Sequence, residues 1–515
     1  MTARSAVRHS IVGDRAPYFW AGCAAISAGI MLHLPMLAHA HEMGNRLSGM
    51  AVDPPMMLGM ALILVGVPLS CWGALPRHRA PHGAGAGTSY EAPDDTPLNR
   101  WHVGVLLVLT IGLIIDVMKP ATLGFVLPGV TAEYGITSST AALLPLVALA
   151  GTTVGSFVWG WLADAYGRRV SILLSTILFA STAICGAMPT FGWNLVMCFL
   201  MGCSAGGMLP VVYTLLAEIM PPRHRSWVLV LVGGTGLIGG YLVASAAAHA
   251  FEPTFGWRVL WLQGFPSALL LLALARLIPE SPRFLAERGL DFELGLMRTR
   301  FGIVARPRAE IPEDARVAHT RHRGLTAALV IAALAWSFVN FGLLLWLPTD
   351  LQARGFSAGL ASGIIASSAL LALPTVAVAA WCYSRWSSKW TLVTTVALTV
   401  LGLSGALVPA PILAHPPMLV AVIALLIVGT NGMIAVLLPY TAENFPLGTR
   451  GRATGLVAGS SKFGGVAVQG LALLGLIPTL GGAALALLVP MAVSGALLAW
   501  AGRETRGRSL RELEA

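Results

Sequence analysis

The stretch A-E-I-M-P-P-R-H-R, Ala217 to Arg225, returns as A-E-N-F-P-L-G-T-R, Ala442 to Arg450, displaced by 225 positions without a gap. Gly207-Met208 precedes the first copy and Gly432-Met433 the second, at the same displacement. Pro279-Glu280-Ser281 meets Arg503-Glu504-Thr505 at a displacement of 224. A repeat of this length means two similar halves. Apolar runs surround both copies, and about 20 such residues cross a bilayer as a helix. Spans fall at about 101–130, 140–161, 170–189, 193–219, 227–250 and 258–278, and again at about 325–349, 357–382, 390–408, 418–440, 453–475 and 480–501. Two further spans, at about 17–40 and 55–75, precede the first half. Two six-helix halves in parallel orientation, with a solute site between them near the bilayer midplane, make a transporter architecture.

Composition agrees. Of 515 residues, 56% are hydrophobic and 11% charged, and the mean hydropathy is +0.76. Soluble domains carry about 25% charged residues, and disorder requires low hydropathy. The expected fold is an all-α polytopic membrane protein of fourteen transmembrane helices, a 6+6 core with an extra N-terminal hairpin. Its parts are a cytoplasmic tail (1–16), the extra hairpin (17–76), a flexible linker rich in Gly, Pro and charge (77–99), the first six-helix bundle (100–278), a central cytoplasmic loop (279–324), the second bundle (325–502) and a cytoplasmic tail (503–515).

The net charge of +10 reads as topology, not as nucleic-acid binding. Loops on one side of the expected spans carry 21 Lys and Arg; the other side carries Arg354 and Arg258. Cytoplasmic loops collect basic residues, so both termini are expected in the cytoplasm of a cell whose inner membrane holds the chain. Six cysteines lie in or beside apolar runs without metal-ligand or redox spacing, and read as packing residues. The His- and Met-containing N-terminal hairpin lacks defined ligand spacing too, so no metal and no cofactor are expected. Catalytic-triad, zinc-hydrolase and P-loop signatures are absent, which argues against an enzyme and against ATP-driven pumping by this chain alone.

The loop after the second core span reads G-W-L-A-D-A-Y-G-R-R, Gly160 to Arg169. Asp164, Arg168 and Arg169 form a candidate charge latch on the cytoplasmic face. The matching stretch of the second half, S-R-W-S-S-K from Ser384 to Lys389, lacks the carboxylate, so the latch is asymmetric. The decamer resembles the loop signature of the major facilitator superfamily. P-E-S-P-R-F-L (Pro279 to Leu285), P-Y-T-A-E-N-F-P (Pro439 to Pro446) and E-T-R-G-R-S-L (Glu504 to Leu510) resemble its sugar-porter branch and organic-ion relatives. F-L-M-G-C-S-A-G-G-M-L-P (Phe199 to Pro210) resembles the aromatic acid:proton symporters. The resemblance covers about residues 100–515 and implies that Glu218, Arg225, Glu280, Arg283, Glu443, Arg450 and Glu504 join the latch as gate elements. It also implies alternating access, in which two bundles rock about a central site.

Within the first core span, Asp116 and Lys119 stand one turn apart in an apolar run, before Pro120. Ionisable groups in a span face a cavity or a partner. Two readings stand: a self-neutralising pair at a kink, or Asp116 as the proton-coupling acid and Lys119 as a cation for an anionic solute. Lys462, the other intramembrane lysine, is a cavity ligand or a snorkelling residue. Tyr213, Asn340 and Asn431 are polar candidates for the cavity wall. The favoured function is proton symport of a small organic acid, aromatic acids included, by a monomer in the lipid bilayer. The alternatives are a sugar or polyol porter and a transporter-like receptor.

Overall fold

The computed structural model describes residues 15–50, 52–75, 88–307, 323–413, 415–445, 447–476 and 479–506. Two spans open the chain: α1 (Ala16–Glu42) and α2 (Pro54–Ala74). The first half follows as α3 (Arg100–Tyr134), α4 (Ser138–Tyr166), α5 (Arg168–Ala187), α6 (Phe191–Ile219), α7 (Pro222–Phe255) and α8 (Val259–Leu277). Two short helices, α9 (Pro282–Glu287) and α10 (Asp291–Phe301), lie between the halves. The second half comprises α11 (Gly324–Ala353), α12 (Ala358–Arg385), α13 (Ser388–Gly405), α14 (Pro416–Asn444), α15 (Leu447–Leu473) and α16 (Leu480–Ala501). Thirteen of the described helices are long and apolar enough to cross a membrane. The eighteen-residue α13, whose first turn holds Ser388 and Lys389, packs along α14 and α16 and completes the second six.

Local chemistry sets the ends of the helices. Asn99 accepts from the backbone N–H of Trp101 and His102, starting α3, and Gly135 in the left-handed conformation stops it. Gly167, at φ +103°, makes the sharp break between α4 and α5 that a residue with a Cβ resists.

The extra hairpin closes through glycines seven apart, which keep one bare stripe on each helix. A Cβ on Gly29 would stand 2.6 Å from the Gly59 carbonyl oxygen, and one on Gly66 would stand 2.8 Å from that of Gly22. Such stripes let backbones approach where lipid offers no hydrophobic drive. The closed pair then docks on α5. Its outer turn is clamped as well: the Leu47 and Ser48 N–H groups donate to Glu133 Oε1 at 2.8 and 3.0 Å. Glu133 in turn pairs with Arg258 at 2.7 Å, both side chains buried.

The expected flexible linker departs from expectation at its end. Thr88–Glu91 forms strand β1, antiparallel to β2 (Val304–Pro307) of the central loop, with Glu91 opposite Val304. Asn99 Nδ2 donates to the Arg300 carbonyl at 2.7 Å, and the His102 ring stands edge-on to Phe301. The Gly- and Pro-rich part, 77–87, lies outside the described residues, as do 308–322 of the central loop and 507–515 of the tail.

Candidate functional site

The two halves meet along α4 against α15 and along α7 against α12 and α14. On the arginine-rich face, Ser226 Oγ of α7 donates to Glu443 Oε1 of α14 at 2.6 Å. Toward the opposite face, the Tyr241 hydroxyl of α7 donates to the Leu344 carbonyl at 2.8 Å, and His249 Nδ1 bonds the Gly359 carbonyl at 2.6 Å. The seam is therefore closed at both ends. Between them lies a void of about 10 Å³, bordered by Pro120, Leu123, Pro145, Met201, Phe341 and Leu345 among others. That is room for about one water molecule.

Asp116 and Lys119 sit at the middle of α3, only 6% and 4% exposed. Lys119 Nζ lies 3.2 Å from Asp116 Oδ1. The ammonium also approaches Ser204 Oγ at 3.5 Å and stands 4.0 Å from the centroid of Phe179. Ser204 and Phe179 belong to α6 and α5, so the lysine points into the first bundle. A buried ammonium needs an anion and hydrogen-bond acceptors; Asp116 and Ser204 supply them. Lys462, on α15 of the second half, is half-buried and makes no ion pair or hydrogen bond among the described residues. Its charge and that of Lys119 are the two that act on Asp116. One acid of the first half is thus paired with a cation of its own half and feels the charge of a second cation from the other half.

The remaining polar candidates are spread out. Asn340 lies in a π-helical segment of α11, Phe338–Leu344, and Asn431 is buried on α14. The Tyr213 hydroxyl is buried against Gly233 of α7 without a hydrogen-bond partner among the described residues. None of the three borders the closed void. A side chain that sequence reasoning missed organises the wall instead. Gln469 of α15 donates to the Phe341 carbonyl at 2.6 Å and accepts from Trp346 Nε1 at 3.2 Å. A π-turn breaks the i→i−4 ladder, and such turns recur at functional sites; here a buried amide satisfies the displaced carbonyl.

The gate elements fall into two matching networks. In the first, Arg168 reaches Glu218 at 3.2 Å and the largely exposed Asp164 at 3.5 Å. Glu280 accepts from the backbone N–H of Arg168 at 2.7 Å, of Arg169 at 3.2 Å and of Ser281 at 2.9 Å. It caps α5 from a distance of more than a hundred residues, where four N–H groups would otherwise lack partners. Burial pushes the Glu280 carboxyl up, against the pull of those N–H groups.

In the second network Glu504 does the same for α13. It accepts from Ser388 N at 2.9 Å and Oγ at 2.6 Å, and from Ser387 Oγ. Burial would raise its carboxyl, but these bonds together hold it down at about 2. Glu443, the counterpart of Glu218, has no arginine at hydrogen-bond distance among the described residues. It accepts from the hydroxyls of Tyr383, Thr505 and Ser226. The asymmetry read from Ser384–Lys389 is thus one of ions against hydroxyls.

Arg225 is half-buried beside the charges of Glu91, Asp94, Glu443 and Glu218, and its buried Nε has no hydrogen-bond partner among the described residues. Arg283 pairs with Glu287 at 2.9 Å on the surface. The side chain of Arg450 lies outside the described residues.

Comparison with known proteins adds the following. A sequence model of the family described as Major Facilitator Superfamily matches residues 109–468. A niacin transporter, NiaP of Acinetobacter baylyi, is 26% identical over 397 residues, covering 73% of this chain and 87% of its own length. The 4-hydroxybenzoate transporter PcaK of the same organism is 26% identical over 403 residues, 72% of this chain and 84% of that one. Among solved structures, the inward-open xylose transporter XylE from E. coli aligns with a TM-score of 0.61 at 18% identity, over 80% of this chain and 99% of that one. That likeness is one of fold.

Proposed function

The chain belongs to the major facilitator superfamily, and from that premise we propose that this transporter of a small organic solute carries an organic acid together with a proton. It is a multi-pass membrane protein and not an enzyme. The observation that supports the proton-coupled reading is the buried Asp116 paired with Lys119 of its own half, with Lys462 of the other half as a second cation acting on it.

With Asp116 ionised, the cluster holds one negative and two positive groups. Buried charge without a counter-ion is costly, so the empty site lacks one anion. A proton on Asp116 releases Lys119 from its pair, and a solute carboxylate takes the place of the lost charge. Proton and carboxylate then enter as a neutral pair, and the cluster carries the same net charge loaded and empty. Rocking of the halves, with the arginine-rich face in the cytoplasm, moves that unchanged charge between the two sides. Ser226–Glu443 and the Arg168–Glu218 network form the cytoplasmic gate; Tyr241–Leu344 and His249–Gly359 form the outer one.

Two relatives are named for niacin and 4-hydroxybenzoate, both aromatic carboxylic acids, and these define the first class to test. The experiment is flux into proteoliposomes under an imposed pH gradient, with labelled benzoate-type acids against hexoses, with and without a protonophore. Protonophore-sensitive accumulation of acids and not of hexoses is expected. Accumulation of hexose alone would replace the proposal by the sugar-porter reading.

A further inference from the structure

A second hollow among the described residues, far roomier than the void at the seam, lies away from it. Between α11, α15 and α16 lies a cavity of about 360 Å³. Its walls are Ile331, Leu334 and Phe338 of α11, Val468 and Leu471 of α15, and Ala486 of α16, with other residues of the same kind. Among the described residues, no polar side chain lines it. An apolar cavity of ~150 Å³ already stays dry and takes up a hydrocarbon guest, so water does not fill this one. Left empty, its walls would lose their dispersion contacts on one side.

All three helices are membrane spans, and the hollow opens sideways past exposed Ile331, Leu471, Leu476 and Pro490. The medium at that opening is bilayer hydrocarbon. The lining takes in residues 331–342 around the middle of α11, the last turns of α15 and the first turns of α16, so it runs from the middle of the bilayer toward the side remote from the arginine-rich face.

We propose that this hollow is a binding site for one acyl chain of a membrane phospholipid, seated against the back of the α11 π-turn. The inner end of the hollow is Phe338 and Gly342 of that turn, where a Cβ on Gly342 would stand 2.9 Å from Val468. The front of the same turn carries Phe341 on the central void. The chain therefore props the segment that forms the solute-facing wall of the second half. The inference concerns the lipid side of α11 and stands whatever solute is carried.

The test uses full-length protein in phosphatidylethanolamine–phosphatidylglycerol vesicles containing a trace of phospholipid with a diazirine on its acyl chain. After photolysis, labelled residues are mapped by mass spectrometry. Labelling concentrated on residues 331–338 and 468–471 and on Ala483, Ala486 and Pro490 is expected, above that of Leu485 and Val489 on the outer surface of α16. Filling the hollow from either side, with Ala486→Phe or Leu471→Trp, is expected to abolish that excess, while the control Leu485→Phe leaves it in place. A diazirine-bearing free fatty acid, added in a second arm, is expected to compete only weakly with the phospholipid. Uniform labelling along the three spans in the wild type would overturn the proposal without any variant. So would an excess that survives in whichever filled variant folds, or one carried by the fatty acid alone.

Discussion

Replacing Asp116 by Asn keeps the shape of a protonated carboxyl and removes its titration. In the empty protein, Lys119 then loses the carboxylate at 3.2 Å while remaining buried. Breaking one side of a buried pair costs about 3–5 kcal/mol, so the empty variant should melt well below the wild type. An anionic solute should recover much of this loss by supplying the counter-charge that Lys119 has lost; a ligand at 100 times its Kd returns ~2.7 kcal/mol. Transport separates the roles further. One proton per acid under a gradient of two pH units supplies ~2.8 kcal/mol, or about 100-fold accumulation. In D116N proteoliposomes accumulation should fall to about one-fold, while exchange of labelled for unlabelled acid continues. The assay is filter uptake with the gradient imposed by internal buffer. Gradient-driven accumulation that survives in D116N would refute the role of Asp116, and equal loss of accumulation and exchange would reduce the pair to a structural element.

Four other outcomes follow from the same geometry. Lys462→Met should weaken acid binding by about tenfold or more, ~1.4 kcal/mol, with little change in melting temperature, since the ammonium has no ion pair to lose; equilibrium binding measures it. Glu133→Ala strands buried Arg258 and should cost about 3–5 kcal/mol; the double variant E133L/R258M should lose less, as a thermal unfolding cycle would record. The Glu504 cap has a folded value of about 2 against an ordinary 4.5, so its contribution is complete above about pH 4.5 and fades as pH falls toward 2; wild type and E504Q should converge in melting temperature at the acid end. Gly29→Leu drives a side chain against the Gly59 carbonyl and should destabilise the hairpin by about 1–3 kcal/mol, read as earlier proteolytic loss of α1 and α2.

The halves and their spans were legible because a displacement of 225 positions is visible without coordinates, and because apolar length alone marks a span. A displacement of 224 sets Glu280 opposite Glu504, and both cap the third helix of their halves. Their task could not be read, since it depends on which helix N-terminus folds back to meet them. The β1–β2 pairing was hidden for a related reason: four residues carry no useful period, and the partner strand is more than two hundred residues away. The π-turn at Phe338–Leu344 is a backbone state that side-chain spacing does not encode, so Gln469 looked like one more polar residue in a span. One-turn spacing left open whether Lys119 pairs with Asp116 or serves a solute, and it is silent on direction; in the structure the two pair at 3.2 Å and the ammonium also meets the ring of Phe179 in the first bundle. The hydroxyls of Tyr383, Ser387, Ser388 and Thr505 escaped notice because no charge marks them.

The extra hairpin grips α5 and Glu133, and the β-ribbon holds the start of α3 to the helices that follow α8. Every one of these attachments is made to the same side of the molecule. That side therefore displaces more lipid and meets more viscous drag, so in the proposed rocking it would serve as the stator and the leaner partner as the rotor that swings through the bilayer.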